Sequence, residues 1–147
     1  MGTLLGMAVR AHKRGPMHAL THANVTMTHG VAQDFRGKPG DRQVTVLTRE
    51  GWDAACQEIA TDLSWLTRRA NLYIAGLDLH ESMGRQLQIG TMQLLITRET
   101  DPCNRMQAAH NDLFEALAKE WRGGVCCRVI QDGLIHVGDR AELTDAS

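Results

Sequence analysis

The stretch Gln86–Arg105, QLQIGTMQLLITRETDPCNR, decides the fold because it holds two strand patterns, a tight turn and a polar loop in succession. Polar and apolar residues alternate over Gln86–Ile89, which is the period of a β-strand, and Thr91–Thr97 is a mostly apolar strand pattern. A glycine between two such segments is typical of a hairpin, so we predict that the two strands pair around Gly90. The second strand then runs into a polar loop that contains Cys103.

Cys103 is the first candidate functional residue. It lies where the strand pattern ends and a helical pattern begins, and backbone N–H groups at a helix N-terminus stabilise a thiolate. Arg98 and Arg105 flank it and would lower the pKa of the thiol further if they point inward. The alternative is an inert, half-buried cysteine in an ordinary connection, and the residues alone leave both interpretations open.

Length and composition exclude several classes of protein. The 147 residues predict one domain, 1–147, that buries roughly two-thirds of its unfolded surface. A net charge of −1 and few aromatic residues argue against a nucleic-acid binder. We find no apolar run long enough to cross a membrane and no signal peptide. The four cysteines form no C-x-x-C pair, so we expect a cytoplasmic protein with reduced thiols.

Two segments have helical periodicity. The first runs from about Gly51 to Leu66, and its apolar stripe includes Cys56, which we therefore expect in the core. The second follows Cys103 as far as Trp121 and is stopped by two glycines at 123–124. The residues that carry the two patterns are Trp52, Ala55, Cys56, Ile59, Ala60 and Leu63, then Met106, Ala109, Leu113, Ala116 and Leu117.

The remaining pattern is mostly strand. Loose alternation over Thr3–Lys13 predicts a first strand with Leu5, Met7, Val9 and Ala11 on one side. Gln43–Thr48 is rich in β-branched residues and predicts another strand. A last short strand begins at Arg140. The predicted order βββαβββαββ alternates too irregularly for a parallel doubly wound sheet. We predict a mainly β (α+β) fold: a closed or partly closed antiparallel β-barrel with two or three accessory helices.

Near the C-terminus, Val125–Ile130 and Leu134–Gly138 are two strand patterns that flank an Asp-Gly turn. This arrangement predicts a hairpin between them. Adjacent Cys126 and Cys127 must point to opposite faces of the first strand, so we expect one to face the core and the other not to. No physical reason for having both cysteines emerges from the sequence.

Two polar segments near the N-terminus are candidates for ligand binding. His18 and His22 have the i, i+4 spacing of helical metal ligands, but the segment is a poor helix former without a fixed third ligand. Histidines in a polar strand or loop are the better interpretation. The glycine-rich segment 29–42 has backbone donors that suit an anion, although by itself a solvated connection is the simpler interpretation.

Taken in order, these pieces resemble the MOSC domain, the C-terminal domain of molybdenum-cofactor sulfurases, which also occurs as small stand-alone proteins. The Pro102-Cys103 pair and the terminal glycine-rich strands carry most of the resemblance. The first-loop element that many stand-alone members share is altered here around Asp34 and Asp41. The matching segments are Gly30–Leu47, Arg69–Leu72, Gly76–Leu79, Gly84–Gly90, Thr97–Cys103 and Gly124–Arg140.

The resemblance implies a closed β-barrel that binds molybdenum cofactor or molybdenum, or carries sulfur for molybdenum-cofactor or metal–sulfur chemistry, through Cys103. In this interpretation the Cys103 thiolate is a molybdenum ligand or accepts sulfane sulfur as a persulfide. Arg42, Arg69 and Arg128 would pair with phosphate and pterin oxygens. Two asparagines, Asn71 and Asn104, would add donors, although capping turns is the commoner role of asparagine.

The resemblance also implies cofactors and partners. Pyridoxal phosphate belongs to a separate desulfurase domain of the full-length sulfurases and is not expected in this chain. A cysteine desulfurase or a molybdoenzyme is the expected partner, with no nucleic acid and no membrane. Alternative functions are an anion- or partner-binding module without catalysis, and a molybdenum-dependent reductase of N-hydroxylated compounds that needs a separate electron donor. Whether the protein is an oxidoreductase, a sulfur transferase or no enzyme is left open, as are its substrate and oligomeric state.

Overall fold

The structure is a computed structural model that describes residues 1–12, 15–32, 34–100, 106 and 109–145. Its elements in chain order are β1 (Gly2–Val9), β2 (His18–Leu20), β3 (His22–Thr26), β4 (Gly30–Val31), β5 (Val44–Thr48), α1 (Arg49–Glu58), a 3-10 helix (Trp65–Arg68), β6 (Leu72–Ala75), β7 (Gln86–Ile89), β8 (Met92–Glu99), α2 (Leu113–Leu117), β9 (Val125–Gln131), β10 (Gly133–His136) and β11 (Arg140–Thr144).

Seven of the described strands close into a barrel. They follow the order β11-β7-β8-β9-β5-β6-β1, and β1 pairs back onto β11 with Gly2 opposite Ala141. Every neighbouring pair is antiparallel except β5 and β6. Short β2 pairs with β1 outside the ring, and β10, β3 and β4 form a second, three-stranded sheet. The predicted barrel is therefore confirmed, and so is the hairpin that joins β7 to β8 around Gly90.

Two apolar clusters hold the barrel and its helices together. The first fills the barrel interior with side chains from every strand of the ring, among them Leu4, Val46, Leu72, Leu87, Leu94 and Val129. The second lies outside the barrel, where α1 and α2 pack over β5 and β6; it includes Leu47, Trp52, Cys56, Leu113 and Leu117. Full burial of one large apolar side chain contributes roughly 1.5 to 3 kcal/mol, so the helices add substantially to stability. Cys56 lies in this second cluster, as its helical spacing predicted.

A β-bulge changes the predicted faces of the first strand. The register between β1 and β6 shifts between Leu4 and Gly6, and a bulge places an extra residue in one strand. As a result Leu4 and Met7 are both fully buried, whereas Leu5 is half-buried and Ala11 is exposed. Strict alternation had put Leu5 and Ala11 on the same side as Met7, and that prediction was wrong.

Both helices are shorter than their periodicity indicated. Helix α1 ends at Glu58 rather than Leu66, and Ala60 adopts a left-handed conformation with φ of 52°. Leu63 still packs on the second cluster because its carbonyl accepts a hydrogen bond from the Trp52 indole at 2.9 Å. Helix α2 ends at Leu117, before the two glycines, and its predicted beginning at Cys103 lies outside the described residues.

The predicted hairpin between β9 and β10 does not form. Strand β10 pairs instead with β3, with Leu134 opposite Asn24, because both edges of β9 are occupied by β5 and β8. The Asp132 carboxylate accepts a hydrogen bond from the Met27 amide at 2.7 Å, which fixes the turn against β3. The Asp-Gly turn is present, but it leads to a different partner strand.

Replacement of Gly124 by alanine should test how closely β9 approaches β5. Gly124 has φ of 92°, and a Cβ atom there would overlap the carbonyl oxygen of Val46. We expect Gly124→Ala to lower the free energy of unfolding by more than about 3 kcal/mol, measured by urea denaturation.

The matched control is Gly138→Ala, where φ is 100° but no atom lies within 4 Å of the added Cβ. It should cost only the left-handed strain, about 1 to 2 kcal/mol. Equal losses in the two variants would contradict the close approach.

Candidate functional site

The candidate site lies at the end of β8, just before the segment 101–105 in the sequence. Thr100 is buried there, and its amide donates to the Gly124 carbonyl at 2.9 Å. A register shift near Thr97 turns that side chain outward, and its hydroxyl lies 2.5 Å from the Asp41 carbonyl and 3.0 Å from the Cys126 carbonyl. The strand end is therefore fixed to β9 on one side and to the glycine-rich first loop on the other.

The adjacent cysteines of β9 point to opposite sides, yet both are fully buried. Cys127 belongs to the barrel interior, and burial raises the pKa of its thiol far above the usual value. Cys126 faces the outside of the barrel, where its Sγ lies 3.5 Å from the Thr100 hydroxyl. The expectation that one of the two faces the core and the other does not is confirmed, but Cys126 is buried too, because the strand end covers the outer face there.

Cys103 and Asn104 lie outside the described residues, as does Arg105. Their proposed roles therefore stay predictions. Covalent geometry still limits where the thiol can be: Cys103 follows Thr100 by three residues, so its Cα lies within about 11 Å of the Thr100 Cα.

Arg69 lies at the end of the 3-10 helix in a left-handed conformation, with φ of 64°. Its side chain is half-buried, and Nη2 donates to the Gly15 carbonyl. This arginine joins the loop after β1 to the turn before β6. Arg69 lies two residues before Asn71, and the loop that it contacts follows β1, the neighbour of β6 on the side away from β5.

Asn71 holds three strands of the barrel together. Its Oδ1 accepts from the Thr45 amide at 3.0 Å and lies 3.3 Å from the Thr45 hydroxyl, while Nδ2 donates to the Ala8 carbonyl at 3.2 Å. The side chain is 5% exposed. Asn71 thus links β1, β5 and β6, and Thr45 is the cross-strand partner of Cys126. The contribution of Asn71 to cofactor binding stays a prediction.

Arg42 and Arg128 are both exposed on the barrel wall beside β8. Arg128 points outward from β9, with Leu95 of β8 as its cross-strand partner. Arg42 follows Asp41, whose carbonyl contacts Thr97. The structure thus brings the backbones of these two predicted residues to the same wall, on the side of β8 that faces the first loop.

One residue that sequence reasoning missed is Arg68, which is only 8% exposed. Its Nε donates to the Gly123 carbonyl at 3.1 Å. A Cβ on Gly123 would lie 3.5 Å from Arg68 Nη2 and 3.2 Å from the Thr100 carbonyl, so the guanidinium lies beside the end of β8. The pair Arg68-Arg69 was the only sequence signal, and it does not say which of the two turns inward.

The glycine-rich first loop is held by a buried glutamine. Gln43 donates from Nε2 to the carbonyls of Met27 and Gly37 at 2.8 and 3.1 Å, and its Oε1 accepts from the Val129 amide at 2.9 Å. The loop is therefore anchored to β9, and it brings Asp41 against Thr97. This glutamine was also missed, because a single polar residue before a strand carries no pattern.

The histidines of the N-terminal half do not form a metal site in the part of the chain that the structure describes. His18, His22 and His29 are exposed, and no group of three His, Cys, Asp or Glu side chains there has metal-binding geometry. His22 instead stacks on His136 of β10, with ring centroids 6.0 Å apart. No helix among the described residues has the length and apolar character needed to span a membrane.

The family assignment rests on a match over most of the chain and not on the candidate site. The model of the MOSC domain family matches residues 13–142. The chain belongs to the MOSC domain family. This family is associated with molybdenum-cofactor binding. No curated protein matches the sequence significantly.

Solved structures agree with this MOSC barrel. The YuaD protein from Bacillus subtilis superposes with a TM-score of 0.82 at 18% identity, over 100% of this chain and 98% of that chain. YiiM from Geobacillus stearothermophilus gives 0.78 at 16% identity, over 99% of this chain and 76% of that one. YiiM from Escherichia coli gives 0.73 at 16% identity, over 99% and 71%. At such identities the likeness shows the fold alone.

Thiol alkylation should separate Cys103 from the other three cysteines. Cys56, Cys126 and Cys127 are buried, and burial raises the pKa of Cys56 and Cys127, so these two stay protonated and unreactive at mildly alkaline pH. We expect iodoacetamide to modify only Cys103 in the native MOSC domain, and all four cysteines in guanidinium, as read by peptide mass spectrometry. If iodoacetamide modifies Cys126 or Cys127 in the native protein at the same rate as in guanidinium, these cysteines are not buried and the prediction is contradicted.

Proposed function

We propose that this MOSC domain binds the molybdenum cofactor against the barrel wall at the end of β8, with Cys103 as the residue that contacts the metal. The observation that carries the proposal is the distribution of arginines around this strand. Arg68 lies beside Thr100, and Arg42 and Arg128 lie on the wall toward the first loop. A phosphate-bearing pterin is anionic, so guanidinium groups along this wall would attract it.

The donor set around the strand end fits this group. Guanidinium groups bind phosphate oxygens in pairs, and a cysteine thiolate is a soft ligand suited to a metal that already carries sulfur. When bound, the cofactor supplies a redox-active molybdenum centre. The protein's part is to bind the phosphate, to hold the strand end through Thr100 and Gly124, and to keep positive charge near the thiol.

The buried guanidinium of Arg68 has a second effect at this site. A positive charge close to a thiol favours the thiolate, which is the form that ligates metal and attacks sulfur. Arg68 is held by the Gly123 carbonyl at 3.1 Å, and Gly123 adjoins Gly124, the residue that anchors Thr100. The charge and the strand end are thus fixed to the same short segment.

Sulfur transfer is the second candidate function. One observation favours it: the buried guanidinium of Arg68 lies beside Thr100, and a positive charge near this strand end would favour a nucleophilic thiolate whether or not a metal is bound. In this function the Cys103 thiolate attacks the outer sulfur of a persulfide on a cysteine desulfurase. The sulfane sulfur then moves to Cys103, the desulfurase leaves as a thiolate, and no net oxidation occurs. A molybdoenzyme would be the acceptor.

Elemental analysis of protein produced in a host that makes the cofactor distinguishes the two functions. We expect molybdenum to copurify with the wild type and to be lost in Cys103→Ala, whereas the control Cys56→Ala, which changes a core cysteine, should retain it. If Cys103 is instead a sulfur carrier, both proteins lack metal. Incubation with a desulfurase then adds roughly 32 Da to the wild type, as one persulfide sulfur, and nothing to Cys103→Ala. Neither metal nor added sulfur on folded wild type would contradict both functions.

A further inference from the structure

A cavity of about 260 Å³ opens at the end of the barrel where β5 and β6 end. It lies between the start of α1, the segment 76–80 after β6, and residues 120–122 before β9. Its lining includes none of the residues assigned to the candidate cofactor site. The cavity is smaller than typical sites for drug-sized ligands, which measure roughly 300 to 1,000 Å³, so it suits a smaller molecule.

The inner part of the cavity is apolar. Leu79 is 3% exposed and belongs to the barrel core, while Leu77 and Trp121 are half-buried and pack against that core. The ring of His80 meets the Trp121 indole edge-on, with centroids 6.2 Å apart, and joins two walls of the cavity. A ligand in this space must therefore present apolar surface to two leucines and an indole.

The remaining lining is acidic. Glu50, Asp78 and Glu120 all border the cavity. Glu50 Oε2 accepts from the Gly76 amide and Asp78 Oδ1 accepts from the His80 amide, each at 3.0 Å, so two of the carboxylates are held in place by backbone groups. Each carboxylate keeps further acceptor capacity, because it has two oxygens.

The basic groups that border the cavity do not cancel this charge. Arg122 is paired with Glu58, with 2.9 Å between Nη1 and Oε1, and Glu58 is shared with Lys119, also at 2.9 Å. The one positive charge of Arg122 is therefore only partly offset by Glu58, but it stands against three carboxylates. Glu58 is itself outside the cavity lining. The other group is His80, which is exposed. The cavity therefore combines an apolar floor with an excess of negative charge.

We propose that this cavity binds a small organic cation, with its apolar body on Leu77, Leu79 and Trp121 and its ammonium group among the three carboxylates. An indole face and carboxylates both attract an alkylammonium group. A metal ion fits less well, because the lining has no group of three ligands with metal-binding geometry among the described residues and the floor is apolar. An anion would be repelled. The inference stands apart from the proposed function and does not depend on Cys103.

Two-dimensional ¹H–¹⁵N NMR with benzylamine as the probe tests the proposal. We expect saturable shifts of the Gly76, Leu77 and Leu79 amides and of the Trp121 indole, with a dissociation constant on the order of 1 mM, as befits so small a ligand. Benzyl alcohol, a neutral molecule of similar shape, should bind at least about tenfold more weakly. Added salt should weaken benzylamine binding because part of the attraction is between partly exposed charges.

Two variants, each of which removes one negative charge from the cavity, test the roles of individual carboxylates. Asp78→Asn and Glu120→Gln should each weaken benzylamine binding by about three- to tenfold. The control Glu115→Gln removes the same charge from the exposed face of α2 and should leave binding unchanged. The spectra also report whether each variant is folded.

The proposal is overturned if benzylamine produces no saturable shifts at the cavity, or produces them elsewhere. It is equally overturned if benzyl alcohol binds as tightly as benzylamine, or if Glu115→Gln weakens binding as much as the two cavity variants do.

Discussion

The hydrogen bond from the Thr100 amide to the Gly124 carbonyl, 2.9 Å long, holds the end of β8 against the start of β9, and the rest of the site depends on it. Just before it the β8 ladder shifts register near Thr97, so that this side chain reaches the first loop. Just after it the chain enters the segment that carries Cys103. The bond extends the β8–β9 ladder beyond the pair of Glu99 and Val125, and it keeps Thr100 beside Cys126 and beside the backbone that holds Arg68.

The same strands that close the barrel also carry the candidate site, so stability and function share residues. Asn71 joins β1, β5 and β6, and Thr45 extends that network to the outer face of β9 at Cys126. Gln43 connects the first loop to β9 in the same way. Such fully satisfied buried groups rigidify a wall, and a binding site needs side chains that are held in place before the ligand arrives.

Much of the fold was predictable because local periodicity decided it. The β7–β8 hairpin, the strand at β9 and the apolar stripe of α1 each follow from spacing, and the barrel follows from their order. The wrong hairpin involves strands that are distant in sequence. The Asp-Gly turn has the right local chemistry, but β5 and β8 already occupy both edges of β9, so β10 pairs with β3. Helix α1 stops at Glu58 because Ala60 adopts a left-handed conformation, and the amides of Ala60 and Thr61 bond back to the carbonyls of Gln57 and Cys56.

The candidate site was predictable only in outline. Arg42 and Arg128 were chosen by resemblance, and the structure brings their backbones to one wall. Arg68 was missed because neighbouring arginines look alike in sequence, and only the chain path decides which one is buried. The acidic cavity was invisible too, since Glu50, Asp78 and Glu120 come together only when three loops meet at one end of the barrel.

The most direct test of the central claim is the position of the metal. Crystals of protein produced in a cofactor-competent host should give an anomalous diffraction peak for molybdenum within bonding distance of the Cys103 sulfur, on the barrel wall between Arg68 and Arg128. A peak inside the barrel, at the exposed histidines, or at the acidic cavity would contradict the account.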